Sequence, residues 1–133
     1  MAYDLHVVRS LHWIDAADSP ITKSDVDSLI EADPELAWSD SDFIEMKDDN
    51  GAISAYYMIR WNGTPCFWWY KDQLACSGPD ARQTAKLIRM ATALNARVIG
   101  DDGERYELRW SLFGTEKIVR RSPGQYRGPA SPR

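Results

Sequence analysis

An Asn-Gly pair between two runs of aromatic and β-branched residues constrains the fold of this chain more than any other feature. The runs are 53–61 and 64–70, and the pair is Asn62-Gly63. Both central residues of a two-residue type I′ turn need positive φ, which Asn and Gly adopt readily. The sequence therefore predicts a β-hairpin at the centre of a sheet. The expected cross-strand pairs are Trp61–Thr64, Ile59–Cys66 and Tyr57–Trp68.

Both faces of that hairpin are apolar in the expected register. One face carries Ala55, Tyr57, Ile59, Cys66, Trp68 and Tyr70, and the other carries Tyr56, Met58, Phe67 and Trp69. Burying one aromatic side chain contributes up to about 3 kcal/mol, so these residues can supply much of a small core. They can serve the core alone. Alternatively, one face stays partly open as a contact surface, because Trp, Tyr and Met are enriched at interface centres.

Local signals around the hairpin predict two helices. Thr22 followed by Asp25 is a near variant of the capping box and starts the first helix. That helix ends at Asp33-Pro34, because the residue before a proline disfavours the α region. The second helix follows residues 77–80, where a proline and two polar capping candidates lie. Between the helices, 36–42 is expected to be a connection and 43–47 a short strand.

The expected fold is a single α+β domain over residues 1–121. It has a mostly antiparallel sheet of five to seven strands with two helices, in the order β-α-β-β-β-β-α-β-β. Residues 10–20 are expected to form a loop with Leu11, Trp13 and Ile14 tucked under the sheet. Residues 114–121 are compatible with a last strand. From residue 122 to 133, Pro, Gly and Ser dominate a basic segment, which predicts a disordered tail.

Charge is unevenly distributed along the chain, although the net charge is only −4. Residues 1–115 hold 11 basic and 19 acidic residues, a balance of −8, whereas 116–133 hold five basic residues and one acidic residue, a balance of +4. An acidic body argues against direct binding of nucleic acid, which needs clustered Lys and Arg. It suits a basic protein partner, because complementary fields speed encounter. Acidic surfaces also serve solubility alone.

No assembled catalytic or metal-binding motif is visible in the sequence. The two histidines, His6 and His12, and the two cysteines, Cys66 and Cys76, lack metal-ligand spacing. We therefore expect no metal, no cofactor, no catalytic residues and two free buried thiols. Carboxylates cluster near residues 40–49 and 101–107, which indicates either solvated faces or an acidic patch that binds a partner.

The N-terminus lacks the order of a signal peptide, and no apolar run approaches the roughly 18 residues of a membrane helix. We expect a cytoplasmic protein without membrane association. The sequence leaves its oligomeric state open.

Several segments resemble a family of small bacterial proteins. They are Tyr3-Asp4-Leu5-His6, Trp13, Asp33-Pro34-Glu35-Leu36, the Trp-rich hairpin and the distinctive run 94–106. Across residues 2–106 the chain resembles immunity-type (antitoxin) proteins associated with polymorphic toxin and type VI secretion loci, and the basic tail departs from that pattern. The resemblance implies a cytoplasmic protein that binds a cognate toxin effector and blocks its active site. It brings no catalytic residues.

A tight interface of this kind needs aromatic anchors with charges at the rim. The expected partner-binding residues are Asp40, Asp42, Glu45, Trp61, Asp101, Asp102 and Glu104. The expected partner is a toxin with a basic cleft, such as a nuclease. The alternative is a small-ligand-binding domain or small enzyme that uses the Trp-lined sheet face, which a concave pocket containing a carboxylate would distinguish. A third possibility is an adaptor that works through its basic tail.

Overall fold

The computed structural model describes residues 3–47, 49–51, 53–112 and 114–122, and within them the side chains of 40–46 and 53–55 lie outside the description. The strands are β1 (Asp4–Val8), β2 (Leu36–Lys47), β3 (Ile53–Trp61), β4 (Thr64–Tyr70), β5 (Gln73–Ser77), β6 (Arg97–Gly100), β7 (Arg105–Trp110) and β8 (Glu116–Arg121). The helices are a 3₁₀ helix (Trp13–Asp18), α1 (Lys23–Ala32) and α2 (Ala81–Ala93).

The eight strands of the described residues form one antiparallel sheet in the order β2-β3-β4-β5-β1-β6-β7-β8. The first strand of the chain thus lies at the centre, between two sets of consecutive hairpins. The predicted α+β class, single domain and antiparallel pairing are confirmed. The sheet has one strand more than the upper limit predicted, because β8 pairs along the whole of β7.

Both α-helices begin with a capping box and pack on one face of the sheet. Thr22 and Asp25 exchange the two predicted hydrogen bonds at the start of α1, and Asp80 and Gln83 do the same for α2. These bonds satisfy backbone N–H groups that a helix start leaves without partners. The core between helices and sheet includes Val26, Leu29, Leu87 and Met90 from the helices and Val7, Ile59, Phe67, Leu74 and Val98 from the strands.

The Asn-Gly turn forms as predicted, but a β-bulge corrects the register beyond it. Asn62 and Gly63 have φ angles of 51° and 86°, and Trp61 pairs with Thr64. The register then shifts between Arg60 and Ile59, and the observed pairs are Arg60–Pro65, Ile59–Phe67, Met58–Trp68 and Tyr57–Trp69. Proline lacks the N–H that a regular ladder requires, so a bulge beside it is an expected accommodation.

The bulge exchanges the faces that the two strands present. A shift of one residue moves every following side chain to the other side of a sheet. Phe67 and Trp69 therefore share the helix-covered face with Ile59 and Tyr57. Met58 and Trp68 lie on the opposite face, together with Tyr56 and Tyr70. The predicted grouping of Trp68 and Tyr70 with Ile59 was wrong.

Two other local predictions were wrong. Residues 36–47 form one strand with an irregularity between Trp38 and Phe43, where a connection and a short strand were expected. Pairing along β3 outweighs the weak strand propensity of the Asp and Ser residues in this segment. The expected loop at 10–20 contains the 3₁₀ helix, and Leu11 and Ile14 are 77% and 69% exposed rather than buried.

Cys66 and Cys76 are free thiols, as predicted. Cys76 is buried, but Cys66 is only half-buried, so the expectation of two buried thiols was wrong for Cys66. Over the described ranges, no helix combines the length and the apolar composition needed to span a membrane. The predicted tail lies outside the described residues from residue 123 onward.

Candidate functional site

The sheet face opposite α1 and α2, here called the open face, is only partly covered by the described residues. Its β1–β6 part packs against the 3₁₀ helix, with Ala16 and Trp13 contacting Val8 and Ile99. On its β3–β4 part the aromatic side chains and Met58 stay half-buried rather than buried. Large apolar side chains that keep solvent contact on a sheet face are typical of contact surfaces.

A concave site of about 200 Å³, here called the aromatic cleft, opens on this face. Its lining comprises four aromatic side chains, Trp13, Tyr56, Trp68 and Tyr70, with Asp4, His6, Gln73 and Ala75. These residues come from β1, β3, β4, β5 and the 3₁₀ helix. Only the assembled sheet brings them together.

Ring stacking fixes one wall of the aromatic cleft. The rings of Tyr56 and Tyr70 stack with centroids 3.9 Å apart, and Trp68 lies 6.5 Å from Tyr56. Lys71 Nζ lies 5.3 Å from the centre of the Tyr70 ring, a cation–π contact. Burial raises the pKa of Tyr56, so its hydroxyl stays neutral at physiological pH. The wall is therefore an uncharged aromatic surface with the Lys71 ammonium at its rim.

His6 forms the polar floor and is only 7% exposed. Its Nδ1 lies 2.8 Å from Gln73 Oε1 and its Nε2 lies 2.8 Å from Asp101 Oδ1. The imidazole stacks on Trp13 at 4.7 Å with 9° between the ring planes. Trp13 Nε1 in turn donates to the backbone oxygen of Asp101. These contacts lock the β6–β7 turn, the 3₁₀ helix and two central strands to one another.

Asp101 is held as a carboxylate by this arrangement. Burial raises its pKa, but the hydrogen bonds from His6 and from the backbone N–H of Asp4 outweigh that effect and leave the pKa below its usual value. A carboxylate stabilised in this way acts as a hydrogen-bond acceptor rather than as a proton shuttle near neutral pH.

Asp4, His6 and Asp101 form a group whose potential ligand atoms lie within 4.8 Å of one another. Sequence spacing did not predict this group, because its members meet only through the pairing of β1 with its neighbours. Each imidazole nitrogen already has a side-chain hydrogen-bond partner at 2.8 Å, Gln73 Oε1 for Nδ1 and Asp101 Oδ1 for Nε2. Asp4 Oδ1 accepts a hydrogen bond from Ser77 at 2.6 Å. Hydrogen bonding accounts for the geometry of the group.

The predicted partner-binding residues do not gather into one site. Trp61 lies on the helix-covered face, where its Nε1 donates to Glu35 Oε1 at 3.1 Å and the Arg82 guanidinium lies 5.5 Å from its ring. Asp101 and Asp102 lie at the β6–β7 turn, which is four strands from β3, or about 19 Å at the usual strand spacing. Asp102 is exposed and accepts a hydrogen bond from the Tyr3 hydroxyl.

Glu104 is buried, with 1% of its surface exposed, so it has no surface to present to a partner. Its carboxylate accepts hydrogen bonds from the hydroxyls of Tyr3 and Tyr106 and fills the space above Gly100. Burial raises the pKa of Glu104, but these hydrogen bonds and Arg120 hold it below its usual value. The expectation of a contact role for Glu104 is corrected to a role in the fold.

Asp40, Asp42 and Glu45 lie in β2, the edge strand beside β3, and their side chains lie outside the described part of the structure. Their contact role stays a prediction, as does that of Asp102. The sequence alone does not reveal the aromatic cleft, because the predicted register places Trp68 and Tyr70 on the other face. Pro65, inside a strand, was the available signal for the bulge that places them here.

Comparison with protein-family models, curated proteins and solved structures found no match to this chain.

Proposed function

We propose that this chain is an immunity-type protein, an antitoxin that binds a cognate bacterial toxin in the cytoplasm and blocks the toxin's active site. The observation that carries the proposal is the half-buried aromatic part of the open face, with its cleft, on an acidic body. Binding energy in protein interfaces concentrates in a few aromatic anchors surrounded by contacts that exclude water. Trp68, Tyr56 and Tyr70 supply such anchors on a rigid strand pair.

The charge balance supports a basic partner. The −8 balance of residues 1–115 creates a field that attracts a positively charged cleft, such as that of a nuclease, and raises its association rate. Among the described residues, each carboxyl pKa that departs from its ordinary value is shifted downward. Carboxylates held ionised in this way suit electrostatic attraction better than acid–base chemistry.

Co-expression with the product of the adjacent open reading frame tests the proposal. We expect the chain to restore growth to cells that express that product and to form a complex stable in gel filtration. If growth is not restored and no complex forms, the proposal is contradicted.

The surface involved is tested by a matched pair of variants. Trp68→Ala removes an anchor of the open face, and we expect about 30-fold weaker binding, the size of an interface hot spot of about 2 kcal/mol. Trp110→Ala is the control, because Trp110 is 70% exposed on β7 and lies away from the cleft lining. Melting temperatures measured by circular dichroism separate lost binding from lost folding. Equal binding by both variants would contradict a role for the open face.

The aromatic cleft also favours a second candidate, a domain that binds a small ligand. It is concave, it is lined by Trp side chains, and it contains the carboxylate of Asp4. Its volume of about 200 Å³ falls below the roughly 300–1,000 Å³ of most small-molecule sites. Thermal-shift screening against metabolites tests this candidate: a ligand that raises the melting temperature of the wild type and not of Trp68→Ala would favour it over toxin binding.

A further inference from the structure

We propose, on the basis of the proposed function, that the aromatic cleft accepts one arginine side chain of the toxin. The guanidinium group stacks against the cleft's aromatic wall and pairs with the carboxylate of Asp4. This inference names the chemistry of the contact at the centre of the interface, which the proposed function leaves open.

The size of the cleft fits a single long side chain. At about 200 Å³ it is smaller than most metabolite sites, and it lies on a sheet face rather than in an enclosed cavity. Interface hot spots are typically anchors that fill pockets near the centre of a contact surface. One inserted side chain is therefore a better match for this volume than a whole small molecule.

The aromatic lining favours a cation. Aromatic faces attract ammonium and guanidinium groups within about 6 Å of the ring centre. The same wall already holds one cation, since Lys71 Nζ lies 5.3 Å from the ring centre of Tyr70. Trp68 forms the neighbouring part of the wall, 6.5 Å from Tyr56.

Asp4 supplies the negative charge. It lies on β1 at the edge of the cleft, half-buried, and its Oδ1 accepts a hydrogen bond from Ser77. A carboxylate has about four acceptor positions, so this hydrogen bond leaves capacity for a guanidinium group. Among the described residues, His6 and the Asp101 carboxylate also lie close to Asp4, with potential ligand atoms within 4.8 Å of one another, and Lys71 lies against the Tyr70 ring. The positive charge of Lys71 repels a second cation, so replacing Lys71 should strengthen binding of an arginine side chain.

Arginine fits these features better than lysine. A guanidinium group is planar, stacks on aromatic rings, sheds water more easily than an ammonium and offers a fork of N–H donors to a carboxylate. The cleft presents rings on one wall and a carboxylate at its edge, which match the stacking plane and the fork respectively.

A titration of the full chain with N-acetyl-arginine amide, followed by tryptophan fluorescence and by NMR, tests the inference without the toxin. The control is the citrulline analogue, which has nearly the same shape and no charge. We expect saturable binding with shifts confined to the cleft residues, and about tenfold weaker binding of citrulline. Equal binding of both probes, or shifts elsewhere, would overturn the inference.

Three variants sharpen the test. Asp4→Asn keeps an oxygen that can accept the hydrogen bond from Ser77. It should weaken binding of the arginine probe and leave binding of the citrulline probe unchanged. Lys71→Met should strengthen binding of the arginine probe severalfold, because it removes a like charge. Trp110→Ala should change the binding of neither probe. No effect of Asp4→Asn would refute the pairing.

Arginine-by-arginine truncation of the bound toxin separates the inference from the proposed function. A toxin that binds tightly but tolerates every single Arg→Ala change would refute the inference and leave the proposed function standing. A chain that binds the arginine probe and yet neither binds nor neutralises the toxin would refute the proposed function alone.

Discussion

Gly100→Ala tests how the buried Glu104 holds the β6–β7 turn. A Cβ atom at position 100 would lie 2.7 Å from Glu104 Oε1 and closer still to Oε2 and Cδ. No real Cβ tolerates such separations, so the carboxylate has to move. Glu104 is only 1% exposed and is held by the Tyr3 and Tyr106 hydroxyls, so it cannot move while keeping both hydrogen bonds.

The expected cost follows from those hydrogen bonds. A hydrogen bond to a charged group contributes about 1.5–3 kcal/mol, so losing or distorting two of them costs about 3–5 kcal/mol. Replacing a glycine by alanine in a strand returns about 0.5–1 kcal/mol, because Gly100 has no positive φ that an alanine would strain. The free energy of unfolding should therefore fall by about 2–4 kcal/mol. For a chain of this length the melting temperature falls by about 10 °C.

Urea unfolding of a double-mutant cycle measures this coupling. In a Glu104→Ala background the three atoms nearest to the added methyl group are absent, so Gly100→Ala should be close to neutral there. The two positions should then show an interaction of about 2–4 kcal/mol. A cost below about 0.5 kcal/mol in the wild type, or the same cost in both backgrounds, would refute the reasoning.

Three further predictions concern charge and thiol chemistry. The pKa of Asp101 is lowered on folding, so its contribution to stability is present above its ordinary pKa of about 4 and fades as pH falls through the folded value. Asp101→Asn should therefore lose less stability than the wild type when unfolding is measured from pH 5 to pH 3. Lys86 Nζ lies 2.7 Å from carboxylate oxygens of both Asp33 and Glu35 and is almost buried. Lys86→Met should lower the free energy of unfolding by about 1–2 kcal/mol, and the value is low because both carboxylates are partly exposed. The loss should be smaller at pH 3 than at pH 7. Burial raises the pKa of Cys76 to about 12. The reaction of this thiol with a disulfide reagent at pH 8 should therefore be far slower in the folded chain than in urea. Equal rates would contradict the burial.

Local chemistry made the turns and helix starts of this fold predictable. Asn62-Gly63 and the Thr22–Asp25 pair act through atoms one to three residues apart, and their effect does not depend on the rest of the chain. The register of the hairpin depended on a single extra residue beside Pro65, and that residue decided which aromatic side chains remain on the open face. Periodicity alone cannot supply this information, because a one-residue shift leaves the pattern equally apolar.

The aromatic cleft was less predictable for a different reason. Its floor depends on the contact of His6 with Gln73, 67 residues apart in sequence, and with Asp101, 95 residues apart. Those contacts arise because β1 enters between β5 and β6, a topological choice that follows from the packing of the whole sheet. No local signal in the sequence specifies which strands become neighbours of β1.

The β6–β7 turn, with Asp101, Asp102 and Glu104, also shows why formal charge overstates the number of carboxylates that a partner can contact. Two of its carboxylates serve the fold: Asp101 is engaged by His6 and the backbone of Asp4, and Glu104 by two tyrosines. Asp102 remains exposed. An exposed charge at the rim of an interface acts mainly on the association rate and its salt dependence, whereas a buried anchor acts on dissociation. Binding strength in the proposed complex therefore rests on the rings of the open face, and the remaining surface carboxylates set how fast a basic toxin arrives.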